Sequence, residues 1–98
     1  MVSLLGPSHG MPSVMFYVYV LKSAADDSIY VGRTDNLKRR FEEHNKGKSK
    51  STKFKTPLQL VYYEAYGREA DAKLREWNLK RHAGAMTHLK KRIRNSLA

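Results

Sequence analysis

The chain contains no cysteine, which excludes a disulfide framework and any metal site built on thiolates. Long apolar runs are also missing. The longest, Val14 to Leu21, is too short to cross a bilayer, and no charged stretch followed by a signal-like apolar core precedes it. A cytosolic, cytoplasmic protein with no membrane partner is therefore expected. Acidic residues are scarce, nine against nineteen Lys and Arg, for a net charge of +10. The four histidines, His9, His44, His82 and His88, show no metal-ligand spacing, so a permanent zinc site is not indicated. With 98 residues there is material for one compact domain and not for two.

What is present is unevenly placed. Residues 1–30 carry a net charge of −1, residues 33–56 carry +6 and residues 57–98 carry +5. Such a field attracts polyanions, with nucleic acid the commonest target and acidic membrane surfaces or solubility alone the alternatives. Residues 1–13 hold two Gly and two Pro without periodicity and read as a disordered extension.

From Val14 to Lys22 both alternating faces are apolar or aromatic, which predicts a central strand. The polar turn Ser23 to Ser28 returns the chain as a second strand, Ile29 to Arg33, in a hairpin that brings Tyr19 and Tyr30 near one another. Gly32 permits a close turn, and Thr34 or Asp35 can cap a helix over 35–46 whose face is Leu37, Phe41 and His44. Lys48 to Pro57 reads as a mobile cationic loop with one large apolar group, Phe54. Leu58 to Tyr66 is a third strand, and Glu69 to His82 a helix whose face Ala70, Leu74, Trp77 and Arg81 puts Trp77 in the core. Gly84 breaks the pattern, and Met86, Leu89, Ile93 and Leu97 line a final helix that Thr87 could cap. The fold class is α+β, a three-stranded, mainly antiparallel sheet flanked by helices, in a single domain over 14–97.

Arg33, Arg39 and Arg40 gather between a strand end and a helix start, where guanidinium forks and free amides suit a phosphodiester. A solvated basic face on an ordinary strand–helix unit accounts for the same spacing. Tyr30-Val31-Gly32 followed by Arg40 and His44 resembles the second half of the GIY-YIG nuclease motif, and Tyr17-Val18-Tyr19 resembles the first half. The likeness is greatest to the small, single-domain bacterial GIY-YIG proteins (the uncharacterised UPF0213 type) and covers about residues 16–82.

The resemblance implies roles. Tyr30 matches the general base and Tyr19 a tyrosine that positions water. Arg40 matches the arginine on the scissile phosphate, His44 a proton-transfer position and Arg33 a position that is frequently basic. Glu76 matches the glutamate that holds a single divalent cation, Mg²⁺ or Mn²⁺. A tyrosine is a poor base at neutral pH, since a pKa near 10 leaves about one in a thousand ionised. Cations such as Arg33 and Arg40 would favour the phenolate. Lys38, Arg39, Lys48, Lys50, Lys53, Phe54 and Lys55 are the further candidate nucleic-acid contacts. The first glycine of the family's name is absent from Tyr17-Val-Tyr19, and the asparagine that larger members use has no match, Asn95 lying in the tail. Two functions follow: a metal-dependent endonuclease hydrolysing DNA phosphodiesters, in repair or recombination, or a basic nucleic-acid-binding module with the same fold and little catalysis.

Overall fold

The strand with two apolar faces becomes the middle of a sheet. In the computed structural model, which describes residue 10 and residues 13–98, β1 (Phe16–Ser23) lies between β2 (Ile29–Thr34) and β3 (Leu58–Tyr66) in the order β2-β1-β3. Both pairings are antiparallel, so the expected α+β class holds and the sheet is antiparallel throughout. Apart from residues 10 and 13, the extension expected over 1–13 lies outside the described residues.

Each face of β1 has its own core. Val18 and Val20 pack with Ala72, Leu79 and Leu89 of α2 (Glu69–Arg81) and α3 (Ala83–Arg92). On the other face Tyr19 and Leu21 pack with Leu58, with Tyr30 and with Leu37 and Phe41 of α1 (Leu37–Asn45). The expected α1 face of Leu37, Phe41 and His44 is thus the inward one, with His44 buried. Its cap is neither Thr34 nor Asp35 but Asn36, whose side chain accepts from the Arg39 amide at 3.1 Å. Thr34 instead receives the Asn36 amide at 3.1 Å, setting the cap residue's entry to the helix.

The inward face of α2 is not the expected one. Leu74 and Trp77 are 61% and 47% exposed, and the buried residues are Ala72 and Leu79. Glu64 on β3 explains the rotation. It faces the helices partly buried, and Arg75 answers it through Nε at 3.0 and 3.1 Å and Nη2 at 3.0 Å, with the Tyr62 and Tyr66 hydroxyls also donating. A carboxylate removed from water must be paired. Turning Arg75 inward to pair it turns Trp77, two residues on, away from the sheet. Burial alone would raise the Glu64 pKa, but these donors outweigh it and hold the carboxyl below its usual range.

The helical break falls at extended His82, not at Gly84, which lies inside α3; Thr87 is likewise internal. Leu89 is buried, with Met86 and Ile93 beside it, and a short α4 (Arg94–Leu97) ends the chain. Residues 48–57 are also not a loose loop. Ser49 and Thr52 are buried, the Lys55 amide donates to Thr52 O, and the Ser23 hydroxyl donates to Lys55 O at 2.6 Å. Among the described residues no helix is long and apolar enough to cross a membrane.

Candidate active site

The two faces of the sheet meet at its edge, β2, and the site is built around that edge. Tyr19 pairs with Gly32, and Tyr30 pairs with Leu21, so both phenols stand on the α1 face, diagonal to one another. Gly32 lies within the strand and makes no turn, contrary to expectation. A Cβ built on it would come within 2.2 Å of Tyr19 Oη and 2.3 Å of Tyr19 Cζ. The missing side chain is therefore the seat of the Tyr19 ring, which lies across β2 and carries its hydroxyl to the sheet edge.

The hydroxyl is held there. Tyr19 Oη is 2.9 Å from His44 Nε2, and His44 Nδ1 is 2.7 Å from Thr52 Oγ1; Thr52 is fully buried. Burial raises the Tyr19 pKa, more than Arg40 lowers it, so the phenol keeps its proton at neutral pH. Burial, helped by Arg40, lowers the His44 pKa, so the imidazole is neutral there. A neutral imidazole has one N–H and one lone pair. If Nδ1–H donates to Thr52, Nε2 accepts the Tyr19 proton; if Thr52 donates, Nε2–H points at the phenol. In either tautomer one exchangeable proton is shared along Tyr19–His44–Thr52.

This chain has a consequence for stability. An unfolded histidine titrates at about 6.5, and the folded value lies below it. As pH falls through 6.5 the unfolded chain binds a proton before the folded one does, so stability is lost on the acid side and unaffected above it. Thermal unfolding followed from pH 7.5 to 5 is expected to show a falling Tm below about pH 6.5 that is shallower in His44→Gln. Identical slopes in the two proteins would refute the assignment.

Arg40, one turn before His44, donates to Glu43 Oε1 at 3.2 Å and to Ser49 Oγ at 3.4 Å. Burial disfavours its charge, but Tyr19 and Glu43 outweigh this and keep it cationic. Tyr30 Oη lies 3.2 Å from the Ser28 hydroxyl, which also donates to Asp26, and Asp26 is ion-paired to Lys55. Arg33 does not join the other arginines. Alternation in β2 sets it on the α2 face, where Nη1 meets Glu69 at 2.9 Å and Nε meets Glu76 at 3.2 Å. It is therefore committed to two carboxylates and does not flank the Tyr30 phenol as anticipated.

All six candidate residues, Tyr19, Tyr30, Arg33, Arg40, His44 and Glu76, nevertheless line one cavity of about 480 Å³ that wraps over β2. Ser51 and Lys80 line it too, and neither carried a signal in the sequence, since a serine in a polar loop and a lysine on a helix are commonplace. The other candidates lie outside it. Lys38, Lys48, Lys50, Lys53 and Phe54 are exposed, Lys53 lying 4.9 Å from the Phe54 ring centroid. Arg39 pairs with Asp35 at 3.4 Å and Glu43 at 3.9 Å.

Glu76 decides how a metal would fit. Among the described residues no three His, Asp or Glu converge on a point. The Glu76 side chain is largely buried, Oε1 accepting from Arg33 and Oε2 from Lys80 at 2.9 Å. A carboxylate oxygen has two lone pairs, so each keeps one position free. That suits a hydrated ion such as Mg²⁺, which uses one or two carboxylates and fills its shell with water and phosphate oxygens. It does not suit a closed protein cage.

Comparison with known proteins finds a matching family and several relatives. The GIY-YIG catalytic domain family matches residues 15–91. A UPF0213 protein of Pediococcus pentosaceus is 46% identical over 66 residues, spanning 66% of this chain and 68% of its own. A UPF0213 protein of Clostridium perfringens is 41% identical over 68 residues, 68% of this chain and 72% of its own. The solution NMR structure of the UPF0213 protein of Bacillus halodurans is 30% identical, with a TM-score of 0.49 over 76% of this chain and 80% of that one.

Proposed function

The chain belongs to the GIY-YIG catalytic-domain family, a nuclease superfamily, and from that premise we propose that it is a divalent-cation-dependent endonuclease that hydrolyses DNA phosphodiester bonds. The observation that supports this is the cavity over β2 onto which two phenols, an imidazole, the Arg33 and Arg40 guanidiniums and the Glu76 carboxylate converge. We further assign residues 14–97 as one catalytic unit, working in the cytoplasm on repair or recombination intermediates.

The phosphate enters against Arg40, whose charge is retained despite partial burial and whose fork fits phosphate oxygens. Tyr30, whose hydroxyl lies beside that of Ser28, takes the proton of the attacking water when it is ionised as the phenolate. Tyr19 orients that water, because its own proton is steered by His44 and its ring cannot leave the Gly32 seat without losing that bond. His44, its ring fixed by Thr52, exchanges a proton with the Tyr19 hydroxyl and so sets the direction in which that hydroxyl points. Arg33 holds Glu76 toward the cavity, and Glu76 would hold the Mg²⁺ or Mn²⁺ ion. Such an ion, when bound, supplies positive charge at the phosphate and eases departure of the leaving oxygen.

One observation favours the other reading, a binding module without catalysis. Both Glu76 oxygens already have cationic partners, so the carboxylate is satisfied with no metal at all. A cleavage assay over single strands, duplexes, flaps and junctions separates the two. Wild type is expected to cut only with Mg²⁺ or Mn²⁺, and Arg40→Ala is expected to bind and cut more weakly. Absence of cleavage on every substrate, with binding intact, would establish the module instead.

A further inference from the structure

Trp77 is the chain's sole tryptophan, and it stands outside both cores. Its ring is 47% exposed on α2, directly after Glu76. Such a ring, half in water, presents a flat apolar face with a polar N–H, the kind of surface enriched where partners bind. The side chain is not loose. His82 packs edge-on against it with centroids 4.9 Å apart, and the Arg81 guanidinium lies 5.8 Å from the ring centroid.

The ring also borders a hollow of about 200 Å³ formed with Lys73, Glu76, Lys80 and Arg81. Glu76 and Lys80 are walls both of this hollow and of the cavity over β2, so the two are neighbours. A site for an apolar protein surface would widen into further apolar groups; here Leu74 and Trp77 are the exposed ones, set among three cations. Planar apolar surface framed by positive charge is the chemistry that takes a base together with its phosphate.

We propose that Trp77 is a stacking platform for one unpaired nucleobase of the substrate strand, next to the phosphate held in the cavity, with Lys73, Lys80 and Arg81 on the strand's backbone. The proposal rests on the nuclease reading of that cavity and names its substrate class. A base inside a duplex has both faces covered by its neighbours, so the platform selects a single strand, flap or gap over a continuous duplex.

Because no other tryptophan is present, fluorescence reports this site alone. The full chain, in EDTA at fixed salt, is titrated with a single-stranded oligonucleotide, the same backbone made abasic, and a blunt duplex. Saturable quenching is expected with the first and not with the abasic strand. Trp77→Ala is expected to weaken single-strand binding by on the order of ten- to a hundredfold, Trp77→Phe to keep most of it, and neither to change duplex affinity. Quenching that is absent or equal with the abasic strand, or unchanged single-strand affinity in Trp77→Ala, overturns the platform and leaves the patch to a protein partner. Stacking without cleavage in Mg²⁺ would sink the nuclease reading alone, and cleavage without stacking would sink this proposal alone.

Discussion

Replacing Gly32 by alanine is expected to abolish the site while leaving the sheet paired. Alanine is an ordinary strand residue, and no left-handed backbone is required at this position. The damage comes from the Cβ, which would stand 2.2 Å from Tyr19 Oη and 2.3 Å from Cζ, distances that side chains do not tolerate. Tyr19 is 4% exposed, with β2 beneath its ring and His44 holding its hydroxyl, so the ring cannot shift without losing that bond. Overpacking of this sort costs about 1–3 kcal/mol, or a Tm drop of roughly 4–8 °C per kcal/mol in a chain of this size. Expulsion of the ring breaks the Tyr19–His44–Thr52 chain, and cleavage should fall on the order of a hundredfold or more. A double-mutant cycle makes the cause explicit. In a Tyr19→Ala background the clash is gone, and Gly32→Ala should then cost almost no further stability. An equal penalty in both backgrounds would show that Gly32 serves the backbone and not the phenol.

That role of Gly32 was not legible in the sequence, because it depends on which β1 residue lies opposite. The strand itself was legible. An apolar residue on both faces of Val14 to Lys22 can only be a middle strand, and β3 appears over the expected Leu58–Tyr66. The inward face of α1 followed from Leu37, Phe41 and His44 for the same reason: one periodic stripe, uncontested. In α2 two stripes compete. Ala70, Leu74 and Trp77 look more apolar than Ala72, Arg75 and Leu79, yet the second stripe faces the core, since Glu64 on the preceding strand demands Arg75. A pairwise electrostatic requirement between residues 11 apart in sequence is invisible to periodicity.

The candidate site divides in the same way. Tyr19, Tyr30, Arg40, His44 and Glu76 are legible through likeness to a motif, and the fold sets all five around one cavity. Proximity in sequence groups Arg33 with Arg39 and Arg40, but strand alternation sends it to the other face. Thr52 and Ser28 are polar residues of loops and carry no local signal. Their significance is relational, one setting the His44 ring and the other meeting the Tyr30 hydroxyl.

Tyr30→Phe and Glu76→Gln are expected to separate chemistry from binding more cleanly than any other pair of changes. Phenylalanine keeps the ring that packs against the cluster of Tyr19, Leu21 and Leu58, and loses an oxygen whose partner is the Ser28 hydroxyl. Stability should change by no more than about 0.5–1.5 kcal/mol, the worth of an ordinary hydrogen bond. Glutamine keeps the shape of Glu76 and removes its charge. Arg33 retains Glu69 at 2.9 Å, and Lys80 is exposed, so neither cation is left buried and unpaired. Neither change removes a phosphate-binding cation, and Glu76→Gln adds net positive charge to the cavity. Nucleic-acid affinity should therefore hold for the first and rise slightly for the second, most visibly at low salt. Cleavage should nonetheless fall on the order of a hundredfold or more in both, the scale for losing a positioned acid–base group or an electrostatic contact made in the transition state. The two should also fail differently: raising Mg²⁺ recovers nothing in Tyr30→Phe, whereas a Glu76 variant that still binds the ion weakly regains activity at high Mg²⁺. Measured kcat, substrate affinity and Mg²⁺ dependence for the three proteins decide the matter. If Glu76→Gln cuts as well as wild type, Glu76 is only the acceptor for Arg33 and Lys80, and its assignment to the metal is wrong.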